Sequence, residues 1–138
     1  MIPTLISTTT ASGTPSSLSI TSGIDSTYDE YMFNWSNIVQ TTVNETWEFQ
    51  CSTDGGSNYD TTVTSTYFYS ENKDDNTTAT GLGYHTGKDQ AQGTSFQTLV
   101  YNLSPNQNEG MAGTLHLFAP SNTTYVKHWS ARTPGVTD

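Results

Sequence analysis

The sequence has little charge. Only 12% of its residues are Asp, Glu, Lys or Arg, where about 25% is usual. Cations are scarcest: Lys73, Lys88, Lys127 and Arg132 stand against thirteen acids, for a net charge of −9. Four scattered cations make no basic patch, which argues against nucleic acid and anionic membranes as partners. Cys51 is the only cysteine, so an internal disulfide is excluded, and its place in an alternating stretch predicts a buried, inert thiol. No run approaches the roughly 20 apolar residues of a membrane-spanning helix. The opening Met1-Ile2-Pro3-Thr4-Leu5-Ile6 has no basic residue and too short an apolar core for a secretory signal. A role outside a cell would therefore need another route of exit.

What the chain does have is hydroxyl groups and aromatics. Ser and Thr supply roughly thirty per cent of its 138 residues, hydrophobic residues 32%, and sixteen residues are Phe, Trp or Tyr. A surface solvated by hydroxyls and amides is common in extracellular β-proteins and particle coats, and sixteen aromatics argue for a folded core. The length suits one domain.

The chain is organised around Trp47-Glu48-Phe49-Gln50-Cys51-Ser52, whose alternation is that of a strand with one buried face. Thr53-Asp54-Gly55-Gly56-Ser57 breaks the pattern with turn chemistry. A second extended run, 61–70, predicts a β-hairpin with the first. Before it, residues 1–16 read as a flexible or draped arm of Thr, Ser, Gly and Pro. Leu18, Ile20 and Ile24 suggest a first short strand, and Tyr31, Phe33 and Trp35 make the clearest core strand. After it come a loop at 71–76, a glycine-rich stretch at 79–93 with at most one edge strand, and a strand through Phe96, Leu99, Tyr101 and Leu103. A second hairpin is expected to join 114–118 to 124–129 around Pro120-Ser121-Asn122. No amphipathic helix or internal repeat stands out. Many short strands separated by turns predict an all-β fold, an antiparallel β-sandwich of jelly-roll type with little or no helix. That sandwich would occupy 17–138 as a single domain. Tyr31, Phe33, Trp35, Trp47, Phe49, Leu115 and Leu117 should form its core.

Candidate chemistry is sparse. Asp54, Asp60, Asp74 and Asp75 are oxygen ligands suited to calcium, but no Asp-x-Asp-x-Asp-Gly spacing joins them, and turn and loop roles account for them. Asn34, Asn44, Asn76, Asn102 and Asn122 stand in Asn-x-Ser/Thr triplets, which arise by chance in so Asn-, Ser- and Thr-rich a chain. His116 and His128 fall on the two arms of the C-terminal hairpin. A four-residue turn pairs Leu117 with Val126 and turns the two rings to opposite faces, so no metal site is expected. No nucleophile elbow, metal motif or phosphate loop appears, so no catalytic residue and no cofactor is assigned and a non-enzyme is expected. Tyr59 and Tyr84, loop aromatics beside Asp and Asn, are the candidate ligand-binding residues, suited to stacking on a sugar.

Three stretches carry a resemblance. These are Tyr28-Asp29-Glu30-Tyr31-Met32-Phe33-Asn34-Trp35-Ser36-Asn37-Ile38, the Phe-Gln-x-Ser-Thr-Asp-Gly-Gly-Ser-x-Tyr-Asp run of 49–60, and Gly113-Thr114-Leu115-His116-Leu117-Phe118-Ala119-Pro120. In this order, over roughly 17–130, they resemble a recurrent module in virion proteins of tailed phages, especially marine ones. The resemblance implies a non-enzymatic β-sandwich in the tail, fibre or head decoration of a virion, assembled in the host cytoplasm beside other virion proteins. It implies no catalytic residues. Members of that family usually continue into further strands that close the sandwich, so the domain is expected to be incomplete at its C-terminus. Either a neighbouring subunit completes the sheet or the chain is a truncated version. A homo-oligomer follows as an expectation, with a trimer favoured because fibres often are trimeric. The alternative is a receptor- or carbohydrate-binding tip that contacts a host-surface glycan.

Overall fold

The stretch with the strongest alternation forms the longest strand. In the computed structural model, which describes residues 2–72 and 81–137, Glu30–Ile38 is β1. It is followed by β2 (Glu45–Phe49), β3 (Val63–Ser65), β4 (Phe68–Glu71) and β5 (Gly81–Tyr84). A single 3₁₀ turn at Thr86–Lys88 then leads to β6 (Gln90–Gly93), β7 (Gln97–Leu103), β8 (Met111–Phe118) and β9 (His128–Arg132). The fold is all-β and every pairing is antiparallel. The strands form one three-stranded sheet, β1-β8-β9, and three two-stranded ones, β2-β7, β3-β6 and β4-β5.

The three-stranded sheet lies against β2. Trp35 of β1 meets Trp47 with ring centroids 6.1 Å apart, and Trp129 of β9 meets Phe49 at 5.6 Å. The buried cluster between them is Val100, Leu103 and Met111, with Trp35, Ile38 and Trp47 packed at its rim. Tyr31, Leu115 and Leu117 are buried as expected, each no more than 5% exposed. Phe33, Trp35, Trp47 and Phe49, expected in the core, are only half-buried. Few layers cover them, because sheets of two or three strands have little area to share.

One expected pairing is not formed. The stretch at 47–52 does not form a hairpin with 61–70; β2 pairs instead with β7, Trp47 opposite Val100 and Phe49 opposite Gln97. The turn chemistry itself is present, with φ of +72° at Gly55 and +90° at Gly56. Side chains have displaced the ladder: Thr61 Oγ1 donates to the Cys51 carbonyl at 2.9 Å, and Gln50 Nε2 donates to the carbonyls of Thr94 and Ser95. The 61–70 run itself breaks into β3 and β4, which pair with β6 and β5. Where one edge strand was expected in 79–93, β5 and β6 both form.

At the C-terminal end β8 does pair with its expected partner, but Leu117 faces Trp129 and not Val126. The connection runs from Ala119 to Lys127, because Asn122 builds a loop of its own. Its Oδ1 accepts from the amides of Thr124 and Tyr125, and Lys127 Nζ donates to the Asn122 and Tyr125 carbonyls. Tyr125 and Val126 are left 72% and 79% exposed. The strand expected at Leu18–Ile24 is absent, and 2–29 carries no regular structure. The strand expected from Phe96 begins at Gln97, and Phe96 is exposed. Asp74, Asp75, Asn76 and part of the loop expected at 71–76 lie outside the described residues.

Candidate functional site

Tyr84 sits on the β4-β5 ribbon. Phe68 pairs with Tyr84 and Ser70 with Leu82, so these four share one face, while Tyr69 and Gly83 share the other. The first face looks into solvent: Phe68, Leu82 and Tyr84 are 62%, 80% and 50% exposed. The Phe68 and Tyr84 rings lie 5.1 Å apart and tilted by 36°. They form a small aromatic platform.

The opposite face docks the ribbon on the body of the protein. His85 packs edge-on against Tyr101 at 5.1 Å, and Tyr67 and Tyr69 complete the ring cluster. Lys88 Nζ lies 5.2 Å from the Tyr101 ring centre, within range of a cation–π attraction. Gly83 is required where it stands, since a Cβ there would run into the Tyr69 ring. Asp89 fixes the ribbon's base. Its Oδ1 accepts from the Tyr67 amide at 2.7 Å, and its Oδ2 accepts from the Tyr84 hydroxyl. That hydrogen bond, above all, raises the Tyr84 phenol above its ordinary value. The phenol is thus committed to Asp89, and a ligand would meet the ring face.

Tyr59 belongs elsewhere. It is half-buried and packs on Phe96 with ring centroids 6.3 Å apart. The Tyr59–Phe96 and Phe68–Tyr84 pairs make no ring contact with each other among the described residues, so the structure does not bring Tyr59 and Tyr84 into one site. The partner that sequence reading missed is Phe68. The Tyr67-Phe68-Tyr69 triplet was the available signal, and only the β4-β5 register tells which ring points outward.

The histidines also differ from expectation. The observed register, three residues off the expected one, places His116 and His128 on the same face of the three-stranded sheet. His116 Nδ1 lies 2.5 Å from Glu30 Oε1 across the β1-β8 pair. No group of three His, Cys, Asp or Glu side chains able to hold a metal occurs among the described residues. The same face carries an open groove of about 700 Å³ lined by Met32, Asn34, Thr114, His116, Ser130 and Arg132, among others. Asp54, weighed as a calcium ligand, is consumed by its own turn. It accepts from Ser52 Oγ, the Ser57 and Asn58 amides and Asn58 Nδ2. Those bonds, that of Ser52 foremost, hold its carboxyl at about 2. Cys51 is half-buried, and burial raises its thiol above the ordinary range. Comparison with protein-family models, curated proteins and solved structures gives no match to this chain.

Proposed function

We propose that this chain is a non-enzymatic structural subunit of a phage virion, placed in the tail, fibre or head decoration and completed by neighbouring copies of itself. The phage assignment rests on the three resembling stretches, Tyr28–Ile38, 49–60 and 113–120. The observation that supports a subunit role is the openness of the sheets. Among the nine strands of the described residues, β8 alone has a strand on each side; β7 adds one isolated bridge, Leu103 to Thr137, and the others present an edge with unpaired backbone groups. The accessible surface agrees. It is 9921 Å², on the order of 2,800 Å² more than the roughly 7,100 Å² expected of a compact monomer of 15.1 kDa. Residues 2–29, exposed throughout and without regular structure, supply part of that surplus.

A jelly-roll sandwich closed between subunits, not within one, is the architecture this reading implies. If it holds, mass spectrometry of purified phage particles will find peptides of this chain in fixed stoichiometry with the other virion proteins. Their absence from particles while the chain is abundant in infected cells would remove the assignment. A second reading, attachment to a host-surface glycan, is favoured by the exposed Phe68–Tyr84 platform, because exposed ring faces stack on sugars. Retention on a glycan array that is lost in Phe68→Ala would support it.

A further inference from the structure

The N-terminal segment and the outer edge of β9 are each incomplete in a complementary way. Residues 2–24 form no hydrogen bond with the described residues, and the first such bond in the chain is that of the Asp25 amide to the Tyr31 hydroxyl. Within this segment, Ser17-Leu18-Ser19-Ile20-Thr21 has the alternation of a strand with one apolar face. Its apolar residues are incompletely covered: Leu18 and Ile20 are 39% and 45% exposed. A pattern of this kind is satisfied by a ladder, and the single chain supplies none.

β9 has the opposite deficit. Among the described residues it bonds β8 on one side and no strand on the other. Trp129 and Ala131 point to the core face, opposite the buried Leu117 and Leu115. Ala131 is nonetheless exposed, because no strand beyond it covers that face. An added strand would place two apolar side chains, two residues apart, beside Trp129 and Ala131. Leu18 and Ile20 have that spacing. Both segments are five residues long, and 2–24 contains no charged residue, so Arg132 and His128 meet no like charge.

We propose that Ser17–Thr21 of one copy adds as a strand to the outer edge of β9 in a second copy. The proposal rests on the subunit reading and names its contact. The occupant is a second copy and not the same chain, since here Thr21 packs beside Gly56 while the β9 edge stays open.

The test is hydrogen exchange on the full-length chain, read beside its sedimentation, for the wild type and a Leu18→Asp/Ile20→Asp variant. The substitutions lie in an arm that no hydrogen bond joins to the body, so the variant should still unfold cooperatively, with its Trp129 emission shifted to the red because the strand beside it is lost. In the wild-type oligomer the amides of 17–21 and 128–132 should exchange together, at least ~100-fold more slowly than in the variant. The variant should sediment as a monomer under the same conditions. A wild-type oligomer in which 17–21 exchanges at unprotected rates overturns the strand addition and leaves the subunit reading standing. So does a variant that associates as tightly as the wild type. A wild-type monomer with 17–21 protected means that the arm closes its own sheet, and overturns both. A wild-type monomer without such protection overturns both as well.

Discussion

Leu115→Ala will destabilise the protein by about 3–5 kcal/mol, toward the upper part of the range for a buried leucine cut back to alanine. Leu115 is 1% exposed and sits in β8 between Phe33 of β1 and Ala131 of β9. It therefore occupies the centre of the three-stranded sheet. The alanine loses the transfer free energy of the missing carbons and leaves a cavity that two flanking ladders prevent from collapsing. A domain of this length is stable by roughly 7–20 kcal/mol at most, and with so much surface exposed this one belongs near the bottom of that range. The loss should appear as a lower urea midpoint at unchanged slope. A change below about 1 kcal/mol would mean that β8 does not lie in a packed core.

Gly113→Val will be at least as damaging. Gly113 pairs with Trp35 in β1, and a Cβ there would run into the Trp35 ring. It would also stand 2.9 Å from the Arg132 carbonyl. A ring can rotate away, but a backbone carbonyl moves only with β9. Valine therefore forces either the β8-β9 ladder or the Trp35–Trp47 contact apart, and overpacking of this kind typically costs about 1–3 kcal/mol, occasionally more. The expected signature is a destabilisation of about 3 kcal/mol or greater, with tryptophan fluorescence shifted to the red even where the chain is still folded. Unchanged emission with full stability would show that Trp35 does not lie over this glycine.

Much of the local structure was legible. Tyr31, Phe33 and Trp35 alternate strongly enough to mark β1, and Leu115 and Leu117 mark β8, because a period of two survives whatever the strand pairs with. Gly55 and Gly56 announce positive φ for the same local reason. Pairing was less legible. The β2-β7 ladder joins segments about 50 residues apart, and the choice of β7 over 61–70 is made by side chains such as Gln50 and Thr61 that leave no periodic trace. At the C-terminal hairpin, the capping of the 119–127 loop by Asn122 and Lys127 consumed residues that an alternation count assigns to a strand. That slip of three, an odd number, reverses which face His128 occupies. Leu18 and Ile20 carry a strand pattern without a strand, since a pattern states what a segment needs and not whether the same chain provides it.

The candidate site divides along the same line. Tyr84 was legible as a ring in a glycine-rich stretch, and Tyr59 as one beside a turn. Their separate partners, Phe68 and Phe96, depend on the β4-β5 register and on the displaced ladder after β2. Met111, central to the core, follows a polar loop and gives no alternation before it begins.

The concentration dependence of thermal unfolding tests the central claim, that this is a subunit whose sheets are completed by its neighbours. If folding and association are linked, the midpoint temperature must rise with protein concentration, because the oligomer is favoured by mass action. The account predicts an upward shift of several degrees over a hundredfold increase in concentration. A sharp, cooperative transition at one temperature throughout that range, from a species that sediments as a monomer, would contradict it.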